Sequence, residues 1–129
     1  MNSKVSFDFD ATLSRKGVQK FAKKLKNLGC ELFIVTSRYE DPSRYDFPTD
    51  HKDLFRVAAK LGIDKDHMVF TNFQHKYKFL MELGVFCHVD DDIYELLLLS
   101  NMTVKGYDVN DPYYTTQLLM DLRELHENQ

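Results

Sequence analysis

Residues 4–12 read KVSFDFDAT, a short apolar run that ends in two carboxylates two positions apart. The reading of residues 4–9 is a β-strand. Short apolar runs of this kind alternate along the chain with segments of helical period, and the alternation argues for a parallel sheet wrapped by helices.

Working outward, Ser14 is positioned to cap a helix whose apolar residues Val18, Phe21, Ala22, Leu25 and Leu28 keep a 3.6-residue period, with Gly29 as its stop. Residues 32–35 (LFIV) form a buried second strand running into Thr36, and residues 39–50 a polar, aromatic loop. Asp50 is placed to cap the next helix, which turns Leu54, Val57, Ala58 and Leu61 inward and ends at Gly62. Residues 67–71 make a third strand, and a short helix from Lys76 ends at Gly84. Residues 85–89 make a fourth strand, followed at once by Asp90, Asp91 and Asp92, with Asp92 as the cap of a helix over 93–99. A fifth strand over 102–107 and a helix over 115–126 complete the chain.

The expectation is one α/β domain over residues 1–129: a doubly wound, Rossmann-like, five-stranded parallel sheet in the order 3-2-1-4-5. In that order ligands bind beyond the carboxyl ends of the strands, at the switch point between strands 1 and 4. Asp8 and Asp10 end the first strand, Asp90 to Asp92 the fourth, and Thr36, Ser37 and Arg38 the second. All three polar clusters then meet at one crevice.

Composition narrows the function classes. The 129 residues are 43% hydrophobic and 29% charged, which excludes a disordered tail, a collagen-like repeat or a low-complexity scaffold. Seventeen basic residues against twenty acidic ones leave a net charge of −3, unlike a strongly basic nucleic-acid binder. No apolar stretch is long enough to span a bilayer, and two Asp in the first ten residues argue against a signal peptide. A cytoplasmic protein with no membrane partner is expected. Cys30 and Cys87 read as free buried thiols, and no Cys/His spacing resembles a zinc site.

Carboxylates gathered in one crevice repel each other. A like-charged pair at about 4 Å costs on the order of 4 kcal/mol at an effective dielectric near 20. A hard oxygen-ligand cation such as Mg2+ is the natural compensation, and beside a carboxylate it invites phosphate chemistry.

With its motifs DFDAT (8–12), IVTSR (34–38), a Lys at 76 or 78 and HVDDD (88–92) in that order, the chain resembles the haloacid dehalogenase superfamily of phosphohydrolases over nearly its whole length. The resemblance implies that Asp8 attacks phosphorus to form an aspartyl-phosphate and that Asp10 is general acid and base. It implies that Thr36 donates to a phosphoryl oxygen and that a lysine holds phosphate and nucleophile together. Lys76 is favoured over Lys78 for that role, because it opens the helix nearest the preceding loop. The implied Mg2+ ligands are Asp8, Asp10 through its backbone carbonyl, and Asp91, with Asp90 supporting the metal from behind its ligands or through water. Ser37 and Arg38 join Thr36 as substrate-binding candidates, Arg38 for a second phosphate oxygen or a substrate anion. Glu95, one helical turn after Asp91, is a candidate to orient the metal ligands. The five histidines read as structural or solvated.

By the same resemblance, so few residues separate the first motif from its helix that the chain looks like a minimal core without a sizeable cap. An open site encloses small ligands poorly, so macromolecular phosphomonoesters, among them nucleic-acid ends, gain weight. The loop also bears a faint similarity to bacteriophage polynucleotide kinase-phosphatases, and TSR to deoxyribonucleotidases. Tyr39, Arg44, Tyr45 and Phe47 are candidates to stack on bases. The expected activity is a Mg2+-dependent phosphomonoesterase acting on a nucleotide or nucleic-acid end phosphate. The alternatives are a metabolite (sugar) phosphatase and a non-catalytic binding protein on the same fold. A signalling receiver domain fits poorly, because the third strand ends in Phe70-Thr71-Asn72 without an acid.

Overall fold

The computed structural model describes residues 2–46 and 50–128. Among them, five strands form one parallel sheet: β1 (Lys4–Phe7), β2 (Glu31–Thr36), β3 (Met68–Phe70), β4 (Cys87–Asp90) and β5 (Lys105–Asp108). The order is β3-β2-β1-β4-β5, as expected from the sequence, so the winding reverses between β1 and β4. The helices are α1 (Lys16–Asn27), α2 (Lys52–Leu61), α3 (Tyr77–Leu83), α4 (Ile93–Leu98) and α5 (Tyr114–Glu127).

Period-2 alternation splits each strand between two layers. Val5 and Phe7 of β1, Leu32 and Ile34 of β2, and Cys87 and Val89 of β4 face the larger core. That core is closed by Phe21 and Leu25 of α1, Leu54 and Ala58 of α2, and Leu118 and Leu122 of α5. Phe33 and Val35 point to the opposite layer, against Leu80 of α3 and Leu99 just past α4. Truncating a fully buried leucine such as Leu54 or Leu122 to Ala costs about 2–5 kcal/mol.

On that second face, β1 and β4 carry a polar ladder instead of a core. Ser6 on β1 and Asp8 just past it, whose N–H still donates to Val89 O at 2.9 Å, share a face with His88 and Asp90 of β4, and Ser6 lies opposite His88 in the strand register. The period of the sheet places Asp8 and Asp90 together.

Several boundaries differ from the sequence reading. β1 stops at Phe7 because the chain leaves the sheet in a wide turn over Phe9–Leu13, closed by bonds from Leu13 N to Asp8 O (3.0 Å) and Ser14 N to Phe9 O (3.0 Å). Ser14 is absorbed into this turn, and α1 starts at Lys16 with no side-chain cap. α2 starts at Lys52 rather than at a helix end capped directly by Asp50, although Asp50 Oδ1 still accepts from Lys52 N (3.0 Å). β5 begins at Lys105, since the preceding residues form a turn after α4. The helix stops hold: Gly62 and Gly84 take φ of 69° and 68°, a left-handed conformation that glycine adopts without a Cβ penalty. Asp92 caps α4 as expected, accepting from Tyr94 N and Glu95 N.

Cys30 and Cys87 are buried free thiols. No helix among the described residues is long and apolar enough to cross a membrane.

Candidate active site

Beyond the carboxyl ends of β1 and β4, buried charge converges on Lys76. Lys76 directly precedes α3, and its side chain runs inward, 3% exposed, to the switch point. Its Nζ donates to Asp8 Oδ1 at 2.9 Å and to Asp90 Oδ2 at 2.6 Å. Lys78 is exposed on α3. Of the two candidate lysines, the structure brings Lys76 to the carboxylates.

Asp90 is itself held from behind. His88 Nε2 lies 2.8 Å from Asp90 Oδ2, and His88 Nδ1 lies 2.8 Å from Ser6 Oγ. A carboxylate only accepts, so Nε2 carries the ring proton and Nδ1 receives the Ser6 hydroxyl. Burial keeps His88 below its usual pKa, which favours this neutral ring. Asp90 Oδ1 accepts from Asp92 N at 3.0 Å. Burial works against the Asp90 charge, but the His88 hydrogen bond and Lys76 outweigh it, and the carboxyl lies below the ordinary carboxylate range. Asp8 is pushed up to about 8, first by burial and also by the neighbouring Asp90, with Lys76 acting in the opposite direction. Burial disfavours the Lys76 ammonium as well, yet Asp8 and Asp90 hold its pKa above normal.

Asp8, Asp90 and Asp91 each offer a carboxylate oxygen, and the three atoms lie within 4.8 Å of one another. Thr12 Oγ1 donates to Asp91 Oδ1 at 3.2 Å, so the turn after β1 steadies this ligand candidate. Three carboxylates facing one ammonium leave net negative charge, and an all-oxygen donor set suits a hard divalent cation. The residues present therefore fit Mg2+. Glu95 does not join the cluster: its Oε1 accepts from Lys76 N (3.0 Å) and its Oε2 lies 3.0 Å from His75 Nδ1. It anchors the backbone that presents Lys76.

Asp10 sits on the rim. Its side chain is 57% exposed and is held by Arg38. Two devices in the turn after β1 carry it there: Asp10 keeps an extended conformation, and Ala11 takes a φ of 56°. Arg38 Nε and Nη2 reach Asp10 at 2.9 and 2.7 Å. Its Nη1 and Nη2 reach Asp53, in the first turn of α2, at 3.0 and 2.9 Å. The guanidinium also lies over the Phe9 ring, 5.0 Å from its centroid. The hydrogen bonds that Arg38 donates to Asp10 and then to Asp53 raise its pKa further, and Arg38 in turn lowers that of Asp53.

Thr36 is buried at the end of β2, where its Oγ1 accepts from Arg38 N at 3.3 Å. A hydroxyl that accepts there still has a proton to donate. Ser37 and Arg38 line a recess of about 280 Å³ together with Asp10, Tyr45, Asp50, His51 and Phe73. Tyr39 packs against Tyr45 and Phe73, and the Arg44 guanidinium lies 4.1 Å from the Tyr39 ring centroid. Phe47, the fourth stacking candidate of the loop, lies outside the described residues.

Sequence reasoning singled out neither His88, Ser6, Asp53 nor Phe73. A signal for the first two was present: residues 6 and 8, and 88 and 90, are two apart on strands and must share a face. No signal pointed to Asp53, which reaches Arg38 only through the packing of α2 beside β2. His51 and His75, read as structural or solvated, also touch this network, His51 through Arg38 Nη1 at 3.4 Å and His75 through Glu95.

No protein-family model matches this chain, and no curated protein matches its sequence.

Proposed function

We propose that the protein is a Mg2+-dependent phosphomonoesterase that works through an aspartyl-phosphate on Asp8. The observation that carries this reading is the buried Asp8–Lys76–Asp90 arrangement, with Asp91 beside it, at the switch point of the sheet. A carboxylate at such a place is a nucleophile in search of an electrophile that tolerates negative surroundings only when they are compensated.

Asp8 attacks phosphorus, and the bond from phosphorus to the leaving oxygen breaks as the new bond forms. Asp10 gives its proton to that oxygen, then takes a proton from the water that attacks the aspartyl-phosphate and frees Asp8. This asks Asp10 to leave Arg38. Thr36 donates its hydroxyl to a phosphoryl oxygen, while Lys76 offsets the charge on nucleophile and phosphate. Asp8, Asp90 and Asp91 would hold the Mg2+, with the Asp10 carbonyl as a further ligand by resemblance to the haloacid dehalogenase superfamily. The ion supplies neutralisation of the phosphoryl oxygens.

The test is phosphate release from aryl, sugar, nucleoside and oligonucleotide-end phosphates, with Mg2+ or with EDTA, by the native chain and by Asp8→Asn. Metal-dependent release that disappears in Asp8→Asn is the expected result. Release that survives the substitution refutes the nucleophile, and release from no substrate favours the non-catalytic binding protein.

A further inference from the structure

The recess beside the carboxylates has one wall that the chemistry of phosphate does not explain. Phe73 lines it, 60% exposed, with its ring centroid 4.8 Å from that of Tyr39 and 6.3 Å from that of Tyr45. The backbone reaches this placement at a cost: Asn72 and Phe73 take φ of 55° and 63°, two consecutive non-glycine residues in the left-handed region.

Tertiary hydrogen bonds impose that conformation. Thr71 N donates to Thr36 O (2.9 Å), Asn72 N to Arg38 O (3.2 Å) and Phe73 N to Ser37 O (2.7 Å). Glu40 N donates to Asn72 Oδ1 (3.0 Å). The segment after β3 is thus stitched to the segment after β2, residue by residue, alongside Thr36, Ser37 and Arg38. The aromatic ring is held in register with the side chains proposed to receive the phosphate. Strain kept in place by surrounding bonds at the rim of a site points to use of the strained side chain.

The rest of the lining is largely polar, from Asp10, Ser37, Arg38, Asp50 and His51. His51 is fixed by Nε2 against the carbonyls of Tyr39 (2.9 Å) and Glu40 (3.2 Å). At about 280 Å³ the recess falls just below the size of clefts that enclose drug-sized ligands, and suits one ring system rather than an extended chain.

We propose that the phosphomonoester taken at this site carries a flat aromatic ring, a nucleobase or an aryl group, that stacks on Phe73 inside this recess. The inference rests on the phosphatase reading for the position of the phosphate, and it adds the class of the leaving group. A mononucleotide fits better than a nucleic-acid end, because the recess takes one ring and the chain carries a net charge of −3.

Equilibrium binding to the full-length Asp8→Asn chain, which leaves its ligands uncleaved, tests it by calorimetry with Mg2+ present. The probes are a nucleoside 5′-monophosphate, phenyl phosphate, and ribose 5-phosphate as the ligand without a ring. Both ring-bearing probes are expected to bind about tenfold tighter than ribose 5-phosphate. Phe73→Ala should erase that preference while leaving ribose 5-phosphate unchanged, and Phe73→Trp should keep it. Nucleotide tighter than phenyl phosphate identifies a nucleobase as the ring, and the reverse identifies an aryl group. Equal binding of ring-bearing and ringless probes, a preference that survives Phe73→Ala, or no binding by any probe overturns the proposal. The phosphatase reading fails separately, by absence of phosphate release from the native chain.

Discussion

Arg38 grips Asp10 with two hydrogen bonds, Nε to Oδ2 at 2.9 Å and Nη2 to Oδ1 at 2.7 Å, while the remaining edge of the same guanidinium holds Asp53. Guanidinium offers five N–H donors, and Asp10, Asp53 and His51 are placed to take all five. A substrate anion that meets Arg38 must therefore displace a carboxylate. If Asp10 is the acid and base, Asp10→Asn lowers kcat by about 100-fold or more, whereas Asp53→Asn lowers it by less than about tenfold. Steady-state kinetics on the two variants separates these outcomes, and equal losses would show that the clamp acts as a unit.

Lys76 and Lys78 are two residues apart and differ completely in surroundings. Lys76→Ala leaves Asp8 and Asp90 buried without their ammonium, and is expected to destabilise the fold by about 3–5 kcal/mol. Lys78 is exposed, and Lys78→Ala should change stability by no more than about 0.5 kcal/mol. Urea denaturation of both variants checks this, and a mild Lys76→Ala would show that the buried carboxylates do not depend on this ammonium for the stability of the fold.

His88 and Ser6 form the back of the site. His88→Leu fills the same space but withdraws a hydrogen bond from a fully buried carboxylate and leaves Ser6 without its ring partner. The expected loss is about 1–3 kcal/mol. Ser6→Ala removes the outer bond and a longer contact to Cys87 O (3.3 Å) but leaves the Asp90 carboxylate its His88 donor, and should cost less. Thermal denaturation that ranks the two in the opposite order would place the important contact at Ser6.

At the other end of the sheet, His67 bridges Asp64 and Glu31, with ring nitrogens 2.7 Å from a carboxylate oxygen of each. The Asp64 hydrogen bond, with help from Glu31 and against some burial, raises the pKa of His67 above its ordinary value. The folded state therefore binds this proton more tightly than the unfolded chain. The stabilisation is complete below the unfolded pKa of about 6.5 and is lost as pH rises through the higher folded value. The Tm of the native chain should exceed that of His67→Gln by more at pH 5.5 than at pH 9. A gap that widens with pH would contradict the bridge.

The sequence made the strands and the helix stops legible, because each rests on a short-range signal: apolar runs of strand length, and glycine at positions 62 and 84 where a left-handed residue ends a helix; the sheet order followed from the usual winding of parallel α/β sheets and not from any local residue. Asp92 was legible as a cap for the same reason. Boundaries near the site were harder to read. Ser14 follows the general rule for a helix cap, yet the bonds closing the turn over Phe9–Leu13 claim it first. β1 also stops short of Asp8, since that turn begins where the sheet pairing ends.

What the sequence determined by itself is the alternation of apolar runs and helical periods, and with it a parallel sheet whose strand ends carry Asp8, Thr36 and Asp90. Period-2 geometry then put Ser6, Asp8, His88 and Asp90 on one face. Only the tertiary structure decided how those groups pair. Lys76, which the chain presents just before α3, reaches Asp8 and Asp90, and Asp10 pairs with Arg38 from the segment after β2. Asp53 and Phe73 arrive from segments distant in sequence. A carboxylate's partner depends on distances of a few ångströms between separate elements, and local sequence pattern carries no information about those distances.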